Sequence, residues 1–425
     1  MDFKHAWQSE FSLGAAALRA MHGAGRADRL QDLVMHGPWE QTSLGVTDSL
    51  ADAVRPFTGL RKFEATVFLD PSAARSMLAA VGGGVGFQMP HMTSLKLWYT
   101  DLSLSGPALL SALERMPGLT ELSLEGCDMN AQAASAIGRA SPTLRHLSLR
   151  NVNGPPASAP EALADSVNAL IPHLTSLHLS DPVTGITLRS GTGITAFEFN
   201  DISSATIWPD AFFDDLAALT RLTHLAVDHR AMDYPRLATA IGTLTGLKSL
   251  EIHRGILTPA AAAALGPTLG SLSGLRSLYL LATSPPPESV AALADALARL
   301  TGLEELSIIC NRVGTIGSDG AAELARALVR MPRLTKVHLG RNSIGPAGLA
   351  AIAPSLAALT GLVDLDLIRN ELAGHGSHAA HSAAMLALTR LTRLDLRDNG
   401  FDAAYIAELS GELKSAIPTL KTVYL

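Results

Sequence analysis

The sequence predicts an α/β solenoid, with short parallel strands lining a concave face and helices on the convex face behind them. Three observations carry this. A six-residue pattern, apolar–x–x–apolar–x–apolar, recurs fifteen times from Leu30 to Leu425 at a mean spacing of about 28 residues. The second half of each copy alternates apolar and free positions, the period of a strand with one buried face. The segments between copies are rich in Ala, Leu and Gly, with apolar residues at helical spacing. Helices are wider than strands, so stacking such units bends the sheet inward and predicts a horseshoe.

Residues 1–29 read as an N-terminal capping helix, whose Phe3, Trp7, Phe11 and Leu18 would close the apolar end of the first repeat. The copies then begin at Leu30, Leu60, Met92, Leu119, Leu144, Leu174, Ile194 and Leu222. They continue at Leu247, Leu275, Leu303, Leu334, Leu362, Leu391 and Leu420, so residues 30–425 read as one domain of about 15 repeats. Residues 150–221 are expected to be irregular. There, Asn153–Ala164 opens as a Pro-rich loop, and only 20 residues separate Leu174 from Ile194, too few for a strand and a full helix. We read this as a change in curvature, not a domain boundary.

Gly345–Leu362 is the clearest helical segment, with Pro346 in its first turn. Three residues past the last apolar position stand Cys127, Asn311, Asn342, Asn370 and Asn399. A small polar side chain there can satisfy backbone groups where the chain leaves the strand. Ile344, Leu372 and Phe401 follow two residues later and should return to the core. The chain ends at Leu425, on the last apolar residue of a strand. Three readings stand together: shielding by the helix of Ala403–Ser415, a longer native chain, or pairing of this edge, including self-association.

Composition removes whole classes of function. Net charge is −6, hydrophobic residues are 47% and charged residues 17%, with no basic stripe of the kind nucleic acids or anionic membranes require. Gly255–Leu275 and Ser343–Val363 lack charge for 21 residues each, but both carry prolines and sit in register with the repeat, so no membrane span is expected. Cys127 and Cys310 lie seven copies apart and cannot bridge; reduced thiols and the absence of a basic n-region suggest the cytoplasm, or export to a host cell without a cleavable signal peptide. The glycines at 82–86 lack the Gly-Lys-Ser/Thr of a phosphate loop, and there is no G-x-S-x-G or HExxH. No cofactor, metal or catalytic residue is expected. Asp228, His253, Glu251 and His229 read as polar lining rather than a zinc site, and His375, His378 and His381 as a solvated helix face.

With the repeat in place, the chain resembles the ribonuclease-inhibitor-like class of leucine-rich repeats. The resemblance rests on SDGAAELARALVRMPRLTKVHLGRNSI and GPAGLAAIAPSLAALTGLVDLDLIRNEL and covers roughly Leu30 to Leu425. It implies a non-enzymatic module that binds a protein partner through the concave face. The element Gly320–Ala325 is also similar to repeats of secreted effectors of plant-pathogenic bacteria, which implies an alternative: a regulator such as a GTPase-activating protein or ubiquitin-ligase adaptor, with Arg341 or Arg369 as an exposed functional arginine.

In this register the third, fifth and seventh residues of each copy face the concave groove. Most are polar, but Tyr279 in the fifth column and Leu281, Ile309 and Ile368 in the seventh form an apolar patch. Either it meets a partner, or a local helix or loop covers it. Glu304, Glu305, Asp364, Asp366 and Arg393 flank it and would steer a partner. Trp98 and Tyr99 form a second candidate, to be weighed against burial under the N-terminal cap.

Overall fold

The computed structural model describes residues 16–25, 30–36, 48–82, 89–140, 142–152, 159–180, 186–200, 208, 210–283, 285–310, 315–374, 382–383 and 385–425. Phe3, Trp7, Phe11, residues 83–86, Asn311, His375, His378 and His381 lie outside them. The chain divides into two compact units, Met1–Asn200 and Asp201–Leu425.

The first unit carries β1 (Asp32–His36), β2 (Lys62–Leu69), β3 (Ser94–Leu102), β4 (Glu121–Glu125), β5 (Asp128–Met129), β6 (His146–Arg150), β7 (Ser176–Ser180) and β8 (Ala196–Asn200). All but β5 form one parallel ladder in chain order. The two-residue β5 pairs instead with Asp101 and Leu102 at the far end of β3, an addition with no counterpart in the repeat pattern. Helices Asp48–Val54, Pro71–Val81, Gly106–Glu114, Ala131–Ile137 and Ala159–Leu170 lie between strands, whereas between β7 and β8 the described residues carry a 3-10 turn, Leu188–Ser190. Residues 16–23 are helical, and Leu18 is buried.

The second unit is a parallel ladder of β9 (His224–Asp228), β10 (Ser249–His253), β11 (Ser277–Leu281), β12 (Glu305–Ile309), β13 (Lys336–His338), β14 (Asp364–Asp366), β15 (Arg393–Asp395) and β16 (Thr422–Tyr424). Every copy of the sequence pattern thus supplies a strand. Helices Asp210–Ala218, Tyr234–Gly242, Pro259–Ser271, Pro287–Leu297, Gly317–Leu328, Gly345–Ala358 and Ala403–Ala416 pack behind them. Both uncharged 21-residue stretches are thereby accounted for as helix and flanking turns. Among the described residues no helix is long and apolar enough to cross a membrane.

Local chemistry explains where these helices start. Asp70, Asn130, Asp233, Thr258 and Asp402 each accept a hydrogen bond from a first-turn backbone N–H, and proline occupies the first turn of several helices, where its missing donor costs nothing. Gly348 is required by packing. A Cβ there would lie 2.9 Å from Ser318 Cα and 3.2 Å from Ala321 Cβ, so it lets helix Gly345–Ala358 press against helix Gly317–Leu328. The leucines of the pattern are fully buried in both units, for example Leu122 and Leu124, or Leu278 and Leu280. Each contributes roughly 1.5–3 kcal/mol of transfer free energy, and this core is the main source of stability.

The chain leaves eight of the strands by a common device. The eighth residue of a copy adopts left-handed backbone geometry at Tyr99, Gly126, Asn151, Arg254, Ala282, Arg341, Arg369 and Asp398, with φ from 49° to 64°. Its N–H then reaches the seventh residue of the next strand, as in Arg254 to Leu281 O (2.9 Å) and Arg341 to Ile368 O (2.7 Å). The ninth residue turns inward. Thr100, Cys127, Thr283, Asn342, Asn370 and Asn399 are all buried at this position.

The three asparagines there form a ladder. Asn370 Nδ2 donates to Leu339 O (2.8 Å) and Leu367 O (3.0 Å), while its Oδ1 accepts from Asn342 N (3.0 Å). Asn399 repeats the arrangement one copy on, with Nδ2 on Leu367 O and Leu396 O and Oδ1 accepting from Asn370 N. Asn342 Oδ1 accepts from the Cys310 thiol at 2.7 Å. Ile344 and Leu372 are fully buried beyond these turns, and Phe401 is half-buried with its ring 5.0 Å from that of Tyr405.

Candidate functional site

In the second unit, the sheet face away from the leucine core shows the anticipated columns. Leu281 and Ile309 are direct register partners on β11 and β12. The next residue of that column is Gly340, and a Cβ on it would lie 2.8 Å from Ile368 Cγ2. Ile368 therefore leans into the space glycine leaves. Leu281, Ile309 and Ile368 are all half-buried and run along one column.

Tyr279 sits beside this column with its hydroxyl already engaged. It donates to Glu305, whose other carboxylate oxygen holds Lys336 Nζ at 2.5 Å. Burial, then the carboxylate acceptor, push the Tyr279 hydroxyl up to about 12. Burial would also raise Glu305, but the hydrogen bonds from Lys336 and Tyr279 outweigh it and hold the carboxyl below its ordinary value. Tyr279 consequently offers its ring, and its polar end is fixed.

Most of the flanking charges are closed among themselves, whereas Asp366 Oδ1 accepts the backbone N–H of Ile368 (2.9 Å) and makes no ion pair among the described residues. Arg393 bridges Asp364 (2.9 Å) and Asp395 (3.3 Å), and Arg397 binds Asp395 (2.6 Å) while its guanidinium lies 4.5 Å from the centre of the Tyr424 ring. Burial opposes ionisation of Asp395, but Arg397 and Arg393 hold it below the usual carboxylate range. Arg276 lies 3.5 Å from Glu304, and Arg369 pairs with Asp398 at 2.8 Å. Arg341 is exposed and makes no ion pair among the described residues. Asp228 is gripped by two nitrogens of Arg254, and His253 lies 3.2 Å from Glu251. Among the described residues no three His, Cys, Asp or Glu side chains are grouped to share a metal ion.

In the first unit, Trp98 and Tyr99 part company. Trp98, a seventh-column residue, registers between Thr66 and Glu125 and is half-buried, with its Nε1 buried and unpartnered. Tyr99 occupies the left-handed position, is 37% exposed, and lays its ring over Gly126, where a Cβ would come within 2.7 Å.

Beside Trp98 lies a groove of about 290 Å³ across β3, β4, β6 and β7, which sequence reasoning missed. Its lining alternates charge with small hydroxyls. Lys96 pairs with Glu121 at 2.7 Å and Arg150 with Glu198 at 2.6 Å. Burial works against ionised Glu121, yet Lys96 and Ser94 hold it below its ordinary value. His178 is lowered, first by burial and further by Arg150, against the pull of Glu198. The available signal was the run of Ser123 and Ser148 in one column between Lys96 and His178.

Comparison with known proteins adds the following. A family model described as Leucine Rich repeat matches residues 331–353. No curated protein matches the sequence. Among solved structures, an internalin from Listeria monocytogenes is similar at 16% identity and a TM-score of 0.45, covering 91% of this chain and 95% of that one. A leucine-rich-repeat protein of Leptospira interrogans is similar at 15% identity and a TM-score of 0.34, covering 86% and 93%. TLR13, solved in complex with ssRNA13, is similar at 15% identity and a TM-score of 0.41, covering 86% and 59%.

Proposed function

We propose, from the premise that the chain is a leucine-rich-repeat solenoid, that it is a non-catalytic module holding a protein partner against its strand face. The seat is the column of Leu281, Ile309 and Ile368 with the ring of Tyr279. One observation carries this reading: Ile368 fills the gap at Gly340, so three aliphatic side chains line up on a face where Glu304, Glu305, Asp364 and Arg393 are already paired. Half-buried apolar groups of this kind gain contact without exposing new polar atoms, and a rigid sheet loses little entropy on association. The ribonuclease-inhibitor-like assignment and a reducing, cytoplasmic setting belong to the same proposal; two fully buried thiols support the latter.

The test is capture of partners from lysate of the source cell, wild type beside a Leu281→Asp/Ile309→Asp chain whose fold is checked by circular dichroism. Loss of a specific protein in the variant is the expected result. Equal retention overturns the assignment of the patch. A second reading, regulation of a GTPase, is favoured by the exposure of Arg341 without a partner among the described residues. Under it, Arg341→Ala abolishes any acceleration of GTP hydrolysis by the captured partner.

A further inference from the structure

We propose that the groove over β3, β4 and β6 is a subsite for one guanidinium side chain, an arginine presented by an extended segment of a partner. The inference rests on the strand face being a recognition surface, but not on the apolar column of the second unit.

Charge bookkeeping within the groove points to a cation. Lys96 and Glu121 close one pair, with Ser94 Oγ adding a hydrogen bond to Glu121 at 2.8 Å. Arg150 and Glu198 close another. Glu125 is left over. It is half-buried, registers between Trp98 on β3 and Arg150 on β6, and its carboxylate makes no hydrogen bond or ion pair among the described residues. A partly desolvated carboxylate with no counter-ion favours an incoming cation. An incoming acid would instead have to displace Glu121 or Glu198 from its existing partner.

Shape and neighbouring chemistry select a planar cation. Ser123 and Ser148 are register partners on the floor, and neither hydroxyl has a hydrogen-bond partner among the described residues. Their small side chains form the depression, whose volume of about 290 Å³ is at the scale of one long side chain rather than a larger ligand. A guanidinium can give two parallel N–H donors to Glu125, stack against the Trp98 indole, and turn its remaining donors to the serine floor. An ammonium can satisfy the charge but not the stacking or the paired donors.

The experiment uses the full ¹⁵N-labelled chain and a capped Gly-Ser-Arg-Ser-Gly peptide. The readout is the Trp98 indole N–H resonance, assigned by its loss in Trp98→Phe. The expected result is a saturable shift, with affinity roughly tenfold weaker for the citrulline peptide and for Glu125→Gln, and an intermediate affinity for the lysine peptide. Ser148→Met, which fills the floor, abolishes the shift. No saturable shift, equal affinity for arginine and citrulline, an unchanged Glu125→Gln chain, or preference for a glutamate peptide each overturns the proposal. The Leu281→Asp/Ile309→Asp chain keeps the arginine response, so failure of the apolar patch and failure of this subsite are separately visible.

Discussion

The turn at Cys127 in the first unit and the turns at Asn342, Asn370 and Asn399 in the second share a backbone course but not a chemistry. In each, a left-handed eighth residue is followed by a buried ninth residue. Cys127 fills that place with a thiol, which makes long hydrogen bonds to Leu97 O (3.4 Å) and Glu125 O (3.6 Å). Each asparagine amide instead donates to carbonyls of its own and the preceding copy, while Asn370 and Asn399 also accept from the preceding copy's asparagine N–H and Asn342 accepts from the Cys310 thiol. The contrast separates shape from cohesion. Any small residue can occupy the ninth position, but an amide there ties successive copies together through several short side-chain hydrogen bonds, where the Cys127 thiol reaches the preceding copy through one long bond to Leu97 O.

The largest expected effect breaks the ladder. Asn370→Ala strands buried carbonyls and the Asn342 N–H, and should cost roughly 3–5 kcal/mol in urea unfolding. Cys127→Ala should cost about 1–2 kcal/mol, since it removes mainly buried sulfur. Equal losses would erase the distinction between the two turns. Next comes the left-handed position itself: Gly126→Ala adds strain and crowds the Tyr99 ring, for a loss of roughly 1–3 kcal/mol. In the same assay Ala282→Gly should be neutral or mildly stabilising, because it relieves that geometry.

Thr283 sharpens the comparison from the other side. It holds the ninth position with its hydroxyl buried and unpartnered, so Thr283→Val should raise stability by up to about 1 kcal/mol. The smallest effect concerns ties on the sheet face, which the two units share. Glu121 and Glu305 are both held below the ordinary glutamate value. Each therefore contributes stability above that value and loses it as pH falls through its lowered folded value. Glu121→Gln and Glu305→Gln should flatten the acid limb of urea midpoint against pH to a similar, small extent, well under 1 kcal/mol for these solvent-screened pairs.

The strands were legible because an alternation repeated fifteen times leaves one consistent register, so the columns of Leu281 and Ile309 could be read before any coordinate. The ninth-position asparagines were legible for a related reason: a polar residue at a fixed offset within an apolar repeat has a backbone task. β5 was not legible, because two residues, Asp128 and Met129, carry no periodicity. Nor was the engagement of Tyr279 by Glu305, since a pair joined across neighbouring strands depends on rotamers as well as register. The groove at Ser123 and Ser148 escaped because small polar residues on a solvated strand look like filler. Their setting comes from the longer side chains around them and from Glu125, whose carboxylate has no ion pair among the described residues.

The asparagine ladder has a mechanical consequence. Because each rung is bonded to the next, tension applied at Leu425 is shared among the copies from Leu334 to Asn399 rather than concentrated on one. Pulled from that end, this stretch should resist and then release as a block, paying out on the order of 200 Å of chain at roughly 3.4 Å per residue. The side chain at the Cys127 turn reaches the preceding copy through one long thiol bond alone, so its load sharing is weaker and the polypeptide is built stiffer towards one end than its even repeat suggests.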